Sequence, residues 1–168
     1  HPHRNDDGHF AVVHNGIIEN YLDLKKELME KGHVFSSETD TEVLPNLLAD
    51  CYEGDLLQAV WKAEKRLRGS YAAVFMTETE PGVLVAIRKD SPLIVGYGKN
   101  GNYLASDIPA LIGYVDQYIV LKNDESAVLT KDSITVYQNG EKVEPEVLPL
   151  TMDIAAAEKG GYDHFMLK

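Results

Sequence analysis

The sequence predicts an α+β layered sandwich. Three features carry that expectation: helical apolar stripes that succeed one another between Ile17 and Leu67, a change to extended periodicity after Gly69, and no return to helix between the strands that follow. An alternating βαβ fold would interleave the two periods. With 168 residues, 44% apolar and 26% charged, the composition is that of one soluble globular domain large enough to build a core.

The opening HPHRNDDGHF shows no helix or strand pattern, and the run His9–His14, HFAVVH, reads as a strand. Asn15-Gly16 ends it. Ile17, Tyr21, Leu24 and Leu28 then recur at helical spacing, so Asn15-Gly16 is expected to join strand to helix rather than two hairpin strands. Glu27 and Lys31 offer an i,i+4 pair, and Gly32 stands where a left-handed C-cap belongs. Thr39-Asp40-Thr41-Glu42 spells a Thr-x-x-Glu capping box before a second helix, whose stripe is Leu44, Leu47, Leu48 and Cys51 and which runs to about Tyr52. Pro45 sits in its first turn, where a missing N–H does little harm. After Gly54, Asp55 with Gln58 resembles a second cap, and Leu56, Ala59, Val60, Trp61, Ala63 and Leu67 continue a third helix to Gly69.

From there YAAVFMT, VLVAIR, PLIVGYG, YLAS, QYIVLK, SAVLT and ITVY read as meandering antiparallel strands. Asp107–Tyr114 allows a helical turn or two. Val143–Lys168 has no clear period, and the division taken is a domain over residues 1–150 with an arm or linker over 151–168. The first strand has no early partner in this reading, so strands late in the chain are expected to flank it.

Charge narrows the functions. There are 27 acidic against 16 basic residues, a net charge of −11, and the bases are scattered singly, which argues against a nucleic-acid partner. No run of eighteen apolar residues and no charged-then-apolar leader is visible, so no membrane association and a cytoplasmic location are expected. The single cysteine, Cys51, excludes an intrachain disulfide and a cysteine-based zinc cluster. Because the first residue is His1, the chain is expected to be a piece of something longer.

Several patterns carry little chemistry. Gly96-x-Gly98-x-x-Gly101 follows a strand but leads into another strand, so it reads as a hairpin loop and not a dinucleotide cradle. His1, His3 and His9 lack a companion carboxylate or thiol set, so no metal is assigned, and no cofactor. Cys51 shares an apolar helical stripe, where a thiol packs and forms little thiolate. Lys62, Lys65, Arg66 and Arg68 read as a solvated helix face.

Asn15-Gly16 is the sharper candidate. A tight turn at a helix N-terminus leaves backbone N–H groups pointing outward, and an Asn side chain adds an amide donor. Two such donors suit the oxyanion that gathers in acyl transfer at an amide or ester carbonyl. The competing reading makes Asn15 an N-cap and Gly16 a turn residue, and spacing alone favours it. Asp40 is also double: a first-turn carboxylate facing the helix dipole, or the anion that pairs with a substrate ammonium.

Taken together, HNGIIEN, SSETDTEV, RGSYAAVF and GGYDHFMLK resemble the glutaminase domain of the isomerising glutamine:fructose-6-phosphate aminotransferases, which belong to the class II amidotransferases. The likeness covers nearly the whole chain, including SPLIVGYG and QYIVLKNDESAVLT. It implies an Ntn-type αββα four-layer sandwich, here incomplete at the N-terminus. In that family an N-terminal cysteine attacks the glutamine carboxamide, its own α-amine serving as base, to give a glutamyl thioester and ammonia. The resemblance makes Asn15 and Gly16 the oxyanion hole, Asp40 the holder of the glutamine α-ammonium, and His1 the counterpart of a histidine near the glutamine pocket. The nucleophilic cysteine and the Arg-Trp segment that grips the glutamine carboxylate have no counterpart in the chain. The expectation is therefore half a glutaminase site, inactive alone, whose ammonia would serve sugar-isomerase domains of a longer, homo-oligomeric enzyme making glucosamine 6-phosphate. Two alternatives stand beside it: a catalytically dead glutamine-binding or regulatory module, and the glutaminase domain of another class II amidotransferase.

Overall fold

A computed structural model describes residues 2–36, 39–151, 153, 154 and 156. Its chain begins with a hairpin that the sequence pattern does not signal. Strand β1, His3–Arg4, pairs antiparallel with β2, Phe10–Ile18, in the register His3↔Val12. The turn between them is closed by Asn5, whose side-chain oxygen accepts from the Phe10 N–H at 3.0 Å, and by Gly8 at φ +79°. Two-residue strands defined by such local bonds leave no periodicity to read.

β2 also runs further than expected. It passes through Asn15 and Gly16 and ends at Ile18, so the junction between strand and helix lies at Glu19-Asn20, not at Asn15-Gly16. The reason is its ladder with β3, Gly69–Thr77, which continues through Asn15↔Ala72, Gly16↔Tyr71 and Ile18↔Gly69. Ile17 is therefore 66% exposed on a strand instead of buried in a helical stripe, whereas Leu24 and Leu28 do face the core.

Helices α1 (Tyr21–Glu30), α2 (Val43–Cys51) and α3 (Leu56–Glu64) follow as a consecutive group. Gly32 at φ +96° closes α1 as expected, with the His33 N–H bonded to the Leu28 carbonyl at 3.0 Å. Glu27 and Lys31 do not pair with each other: Glu27 takes Arg66 at 2.6 Å and Lys31 takes Asp50 at 2.9 Å. The capping box is not formed either. Residues 40–42 make a short 3-10 turn ahead of α2, Thr39 provides no side-chain cap, and the Glu42 carboxylate turns back to the Ser36 N–H and hydroxyl at 2.6 and 3.1 Å. Asp55 does cap α3, accepting from Gln58 N at 3.2 Å. That helix stops at Glu64, before Gly69, because the Arg66 and Leu67 amides tighten onto Ala63 and Glu64 in a closing turn. Arg66 is more than a solvated base, bridging Glu27 of α1 and Asp50 of α2.

All seven strand runs read from the sequence are present: β3, then β4 (Leu84–Lys89), β5 (Ile94–Gly98), β6 (Gly101–Ala105), β7 (Val115–Val120), β8 (Glu125–Leu129) and β9 (Ile134–Gln138). A 3-10 turn at Pro109–Leu111 fills the segment before β7. The Gly-x-Gly-x-x-Gly segment is the β5–β6 hairpin, with Gly98 opposite Gly101. Short strands β10 (Glu141–Val143) and β11 (Leu148–Pro149) complete the set; β11 pairs with β7 in a stretch that shows no period in the sequence.

The strands form two antiparallel sheets, one in the order β1-β2-β3-β4-β8-β9-β10 and one in the order β11-β7-β5-β6. β2 is thus flanked by β1 and β3, its neighbours in sequence, and not by late strands. The three helices cover one face of the larger sheet, burying Leu28, Leu44, Leu47, Leu48, Leu56 and Val60 against Phe10, Val12, Ile18, Tyr71 and Phe75. A second core between the sheets joins Ala72, Ala86, Val95, Ile119, Leu121 and Ala127. The sheet-to-sheet packing stops short of β2, whose far face leaves Val13 41% exposed beside Asn15 and Ile17.

Candidate active site

β2 alternates. Phe10, Val12, His14 and Ile18 point to the helices and are buried; Val13, Asn15 and Ile17 point away and are exposed. Gly16 falls on the inward parity, yet no side chain fits there. A Cβ at Gly16 would lie 2.1 Å from the Ser70 carbonyl oxygen, and its φ of +101° departs from extended geometry. Gly69 is in the same condition, with φ +136° and a Cβ position 2.1 Å from the Ile17 oxygen. Two glycines, one on each strand, let the backbones of β2 and β3 close together at this end.

The turn Asp40–Glu42 lies across this segment. The Asp40 carboxylate accepts the Ile18 N–H at 3.0 Å across 22 residues of sequence, and the imidazole Nδ1 of His14 meets the Thr41 hydroxyl at 2.9 Å. Asn46 of α2 secures the turn from behind, donating to the Glu42 carbonyl at 3.1 Å. Asn20 fixes the exit of β2, donating to the Arg66 carbonyl at 2.8 Å and accepting from the Arg68 N–H at 3.0 Å.

Asn15 and Gly16 are exposed on β2, and Asp40, half-buried, is bonded to Ile18, the residue two beyond Gly16. Asp40 is not unengaged, since one of its oxygens serves Ile18. The amides at Asn15-Gly16 belong to a distorted strand and not to a helix N-terminus, so the helix dipole is not what directs them. His1 and the HFMLK ending lie outside the described residues. His3 is on β1, and His9 pairs with Glu78 at the other end of β2.

Cys51 ends α2, half-buried against the helical core. Burial pushes its thiol above the ordinary range, with Arg66 opposing that rise, so little thiolate forms there. Burial also lowers the His14 pKa, Asp40 pulling it upward and His3 adding to the depression, so the ring is neutral at physiological pH. His14, Thr41 and Gly69 are site-shaping residues that the sequence reading missed. The period-2 face shared with Phe10 and Val12 is the signal that marks His14 as an inward histidine.

Asp40 thus takes the Ile18 N–H of the strand on which Asn15 and Gly16 are exposed, and that strand keeps its ladder with β3 although Gly16 stands at φ +101°. A family model described as "Glutamine amidotransferase domain" matches residues 1–113, and the chain belongs to that family. Its likeness within the family is to the isomerizing glutamine–fructose-6-phosphate aminotransferases: it is 53% identical to that of Aquifex aeolicus and 52% identical to that of Clostridium acetobutylicum, each over 169 aligned positions covering 100% of this chain. The chain spans 28% of the length of each. Among solved structures, the glutamine phosphoribosylpyrophosphate amidotransferase from B. subtilis superposes on 80% of this chain and 30% of its own, with a TM-score of 0.68 and 24% identity. A structure described as the allosteric regulatory enzyme of purine biosynthesis does so on 82% and 30%, with a TM-score of 0.69 and 23% identity. Both likenesses are of fold. No helix among the described residues is long and apolar enough to cross a membrane.

Proposed function

We propose that this chain forms the oxyanion- and ammonium-binding half of a glutaminase site, serving a cytoplasmic isomerising glutamine:fructose-6-phosphate aminotransferase. The observation that carries the reading is the Ile18 N–H bond to Asp40, which ties a carboxylate to the strand two residues beyond the exposed Asn15-Gly16 pair. In this reading glutamine lies over β2 with its α-ammonium on Asp40. Its carboxamide oxygen is directed at the Asn15 side-chain amide and the Gly16 N–H, which take up the charge that develops when a sulfur attacks the carbon. Cys51 is unsuited to that attack, so the nucleophile comes from elsewhere in the full-length polypeptide. Ammonia then passes to sugar-isomerase domains of the same polypeptide. We assign residues 1–150 to a partial glutaminase domain and 151–168 to the arm toward those domains, and count His1, as the resemblance implies, among the glutamine-binding residues.

The finer fold assignment belongs here as well. The helix layer, the two sheets and the bare face of β2 at Val13 and Ile17 support an Ntn-type αββα sandwich in which further strands and helices of the full-length protein cover that face.

Two substitutions in a full-length aminotransferase carrying this domain test the site. Asn15→Ala is expected to lower glutaminase turnover about a hundredfold with a small change in glutamine KM, the effect of losing one oxyanion donor. Asp40→Asn is expected to raise the glutamine KM more than it lowers turnover, because the ammonium loses its counter-charge. Wild-type turnover in the first, or wild-type KM in the second, removes the residue from its role.

A further inference from the structure

We infer that His14 is a positioning residue of this site, whose bond to Thr41 locks the strand carrying Asn15 and Gly16 to the turn carrying Asp40. The inference rests on the glutaminase reading above and adds to it a residue pair that touches neither glutamine nor the attacking sulfur.

The geometry is a two-point attachment. Ile18 N–H to Asp40 Oδ2 at 3.0 Å ties β2 to the turn on one side of Asn15-Gly16, and His14 Nδ1 to Thr41 Oγ1 at 2.9 Å ties it on the other. One bond alone leaves the turn free to pivot about it. Two bonds, four residues apart on β2 and one residue apart on the turn, fix its angle as well as its distance.

The cost of the arrangement also argues for a geometric role. His14 is 4% exposed, and its Nε2 has no hydrogen-bond partner among the described residues. A buried polar atom left unpaired costs stability relative to an apolar side chain, and the neighbouring inward positions of β2 are filled by Phe10, Val12 and Ile18. An imidazole satisfied at one nitrogen only is a poor way to fill a core. It is a good way to hold one hydroxyl at a fixed point.

The test uses a full-length aminotransferase carrying this domain, with Thr41→Val, Thr41→Ser, His14→Leu and the Thr41→Val/His14→Leu pair. Thr41→Val and His14→Leu are each expected to raise the glutamine KM about fivefold and lower glutaminase turnover about tenfold, the scale of one lost hydrogen bond acting on reacting geometry. Thr41→Ser, which keeps the hydroxyl, is expected to restore both parameters to within about twofold, and the double variant to be no worse than the poorer single one. A purely structural role would lower the melting temperature while leaving KM and turnover per folded enzyme unchanged. That result in Thr41→Val, alongside impaired Asn15→Ala and Asp40→Asn, overturns the positioning role and leaves the site reading intact. Wild-type behaviour of Asn15→Ala and Asp40→Asn overturns both.

Discussion

Gly16 shows how much of this site is decided by the absence of an atom. Its φ of +101° and the Ser70 carbonyl 2.1 Å from a Cβ position mean that alanine must move backbone, not a yielding side chain. Gly16→Ala is expected to cost ~3 kcal/mol or more, and at about 2–4 °C per kcal/mol for a chain of this size the melting temperature falls by roughly 6 °C or more. Calorimetry of the variant checks this; a transition within about one degree of wild type contradicts it. Residue type and resemblance single out Asn15 and Asp40, and the structure places one on β2 and the other on the turn bonded to Ile18 of that strand. The helix N-terminus expected for the amides of Asn15-Gly16 is not there, because the ladder with β3 carries the strand past them. His14 and Thr41 were invisible as a pair, since a contact across 27 residues leaves no mark on local pattern. Cys51 was read correctly, its apolar stripe being the same fact that raises its pKa.

Between elements, the joint of α3 with the larger sheet carries a proton-linked contribution. The Tyr71 hydroxyl of β3 donates to Glu64 Oε2 at 3.5 Å, and burial pushes the Glu64 carboxyl up to about 7, with the Tyr71 bond and Lys89 of β4 opposing. Between pH 4.5, its ordinary value, and 7, the folded chain holds more protons at this site than the unfolded one, so stability falls as pH rises. The contribution is complete below 4.5 and is lost as pH passes through 7. Glu64→Gln is expected to flatten that part of the profile, so that wild type loses melting temperature relative to the variant from pH 4.5 to 7. Parallel curves would show that Glu64 does not titrate there. Most of the longer elements were readable because a glycine, proline or asparagine lies near their ends and their apolar residues fill one face. β1 and β11 were missed because two-residue strands are defined by partners, Val12 and Tyr118 among them, and not by their own composition.

For the whole molecule, the α+β class was legible and the sheet order was not. Three helices in succession must share one side of something, and seven extended runs joined by short turns must form antiparallel sheets. Nothing local says that β8 returns to β4 while β7 inserts between β11 and β5. Those choices depend on which apolar faces meet, Ala86 and Ala127 being small enough to let Val95 and Ile119 of the second sheet approach. The expectation that late strands flank the first one failed for the same reason: β3 was near enough in sequence, and its Gly69, opposite Ile18, lets it close on β2 alongside Gly16.

Where two main chains touch with no side chain between them, their separation is set by covalent dimensions and atomic radii, quantities that neither warming nor repacking alters. Substitutions in the helical core can weaken this domain by degrees while the gauge between β2 and β3 keeps its setting.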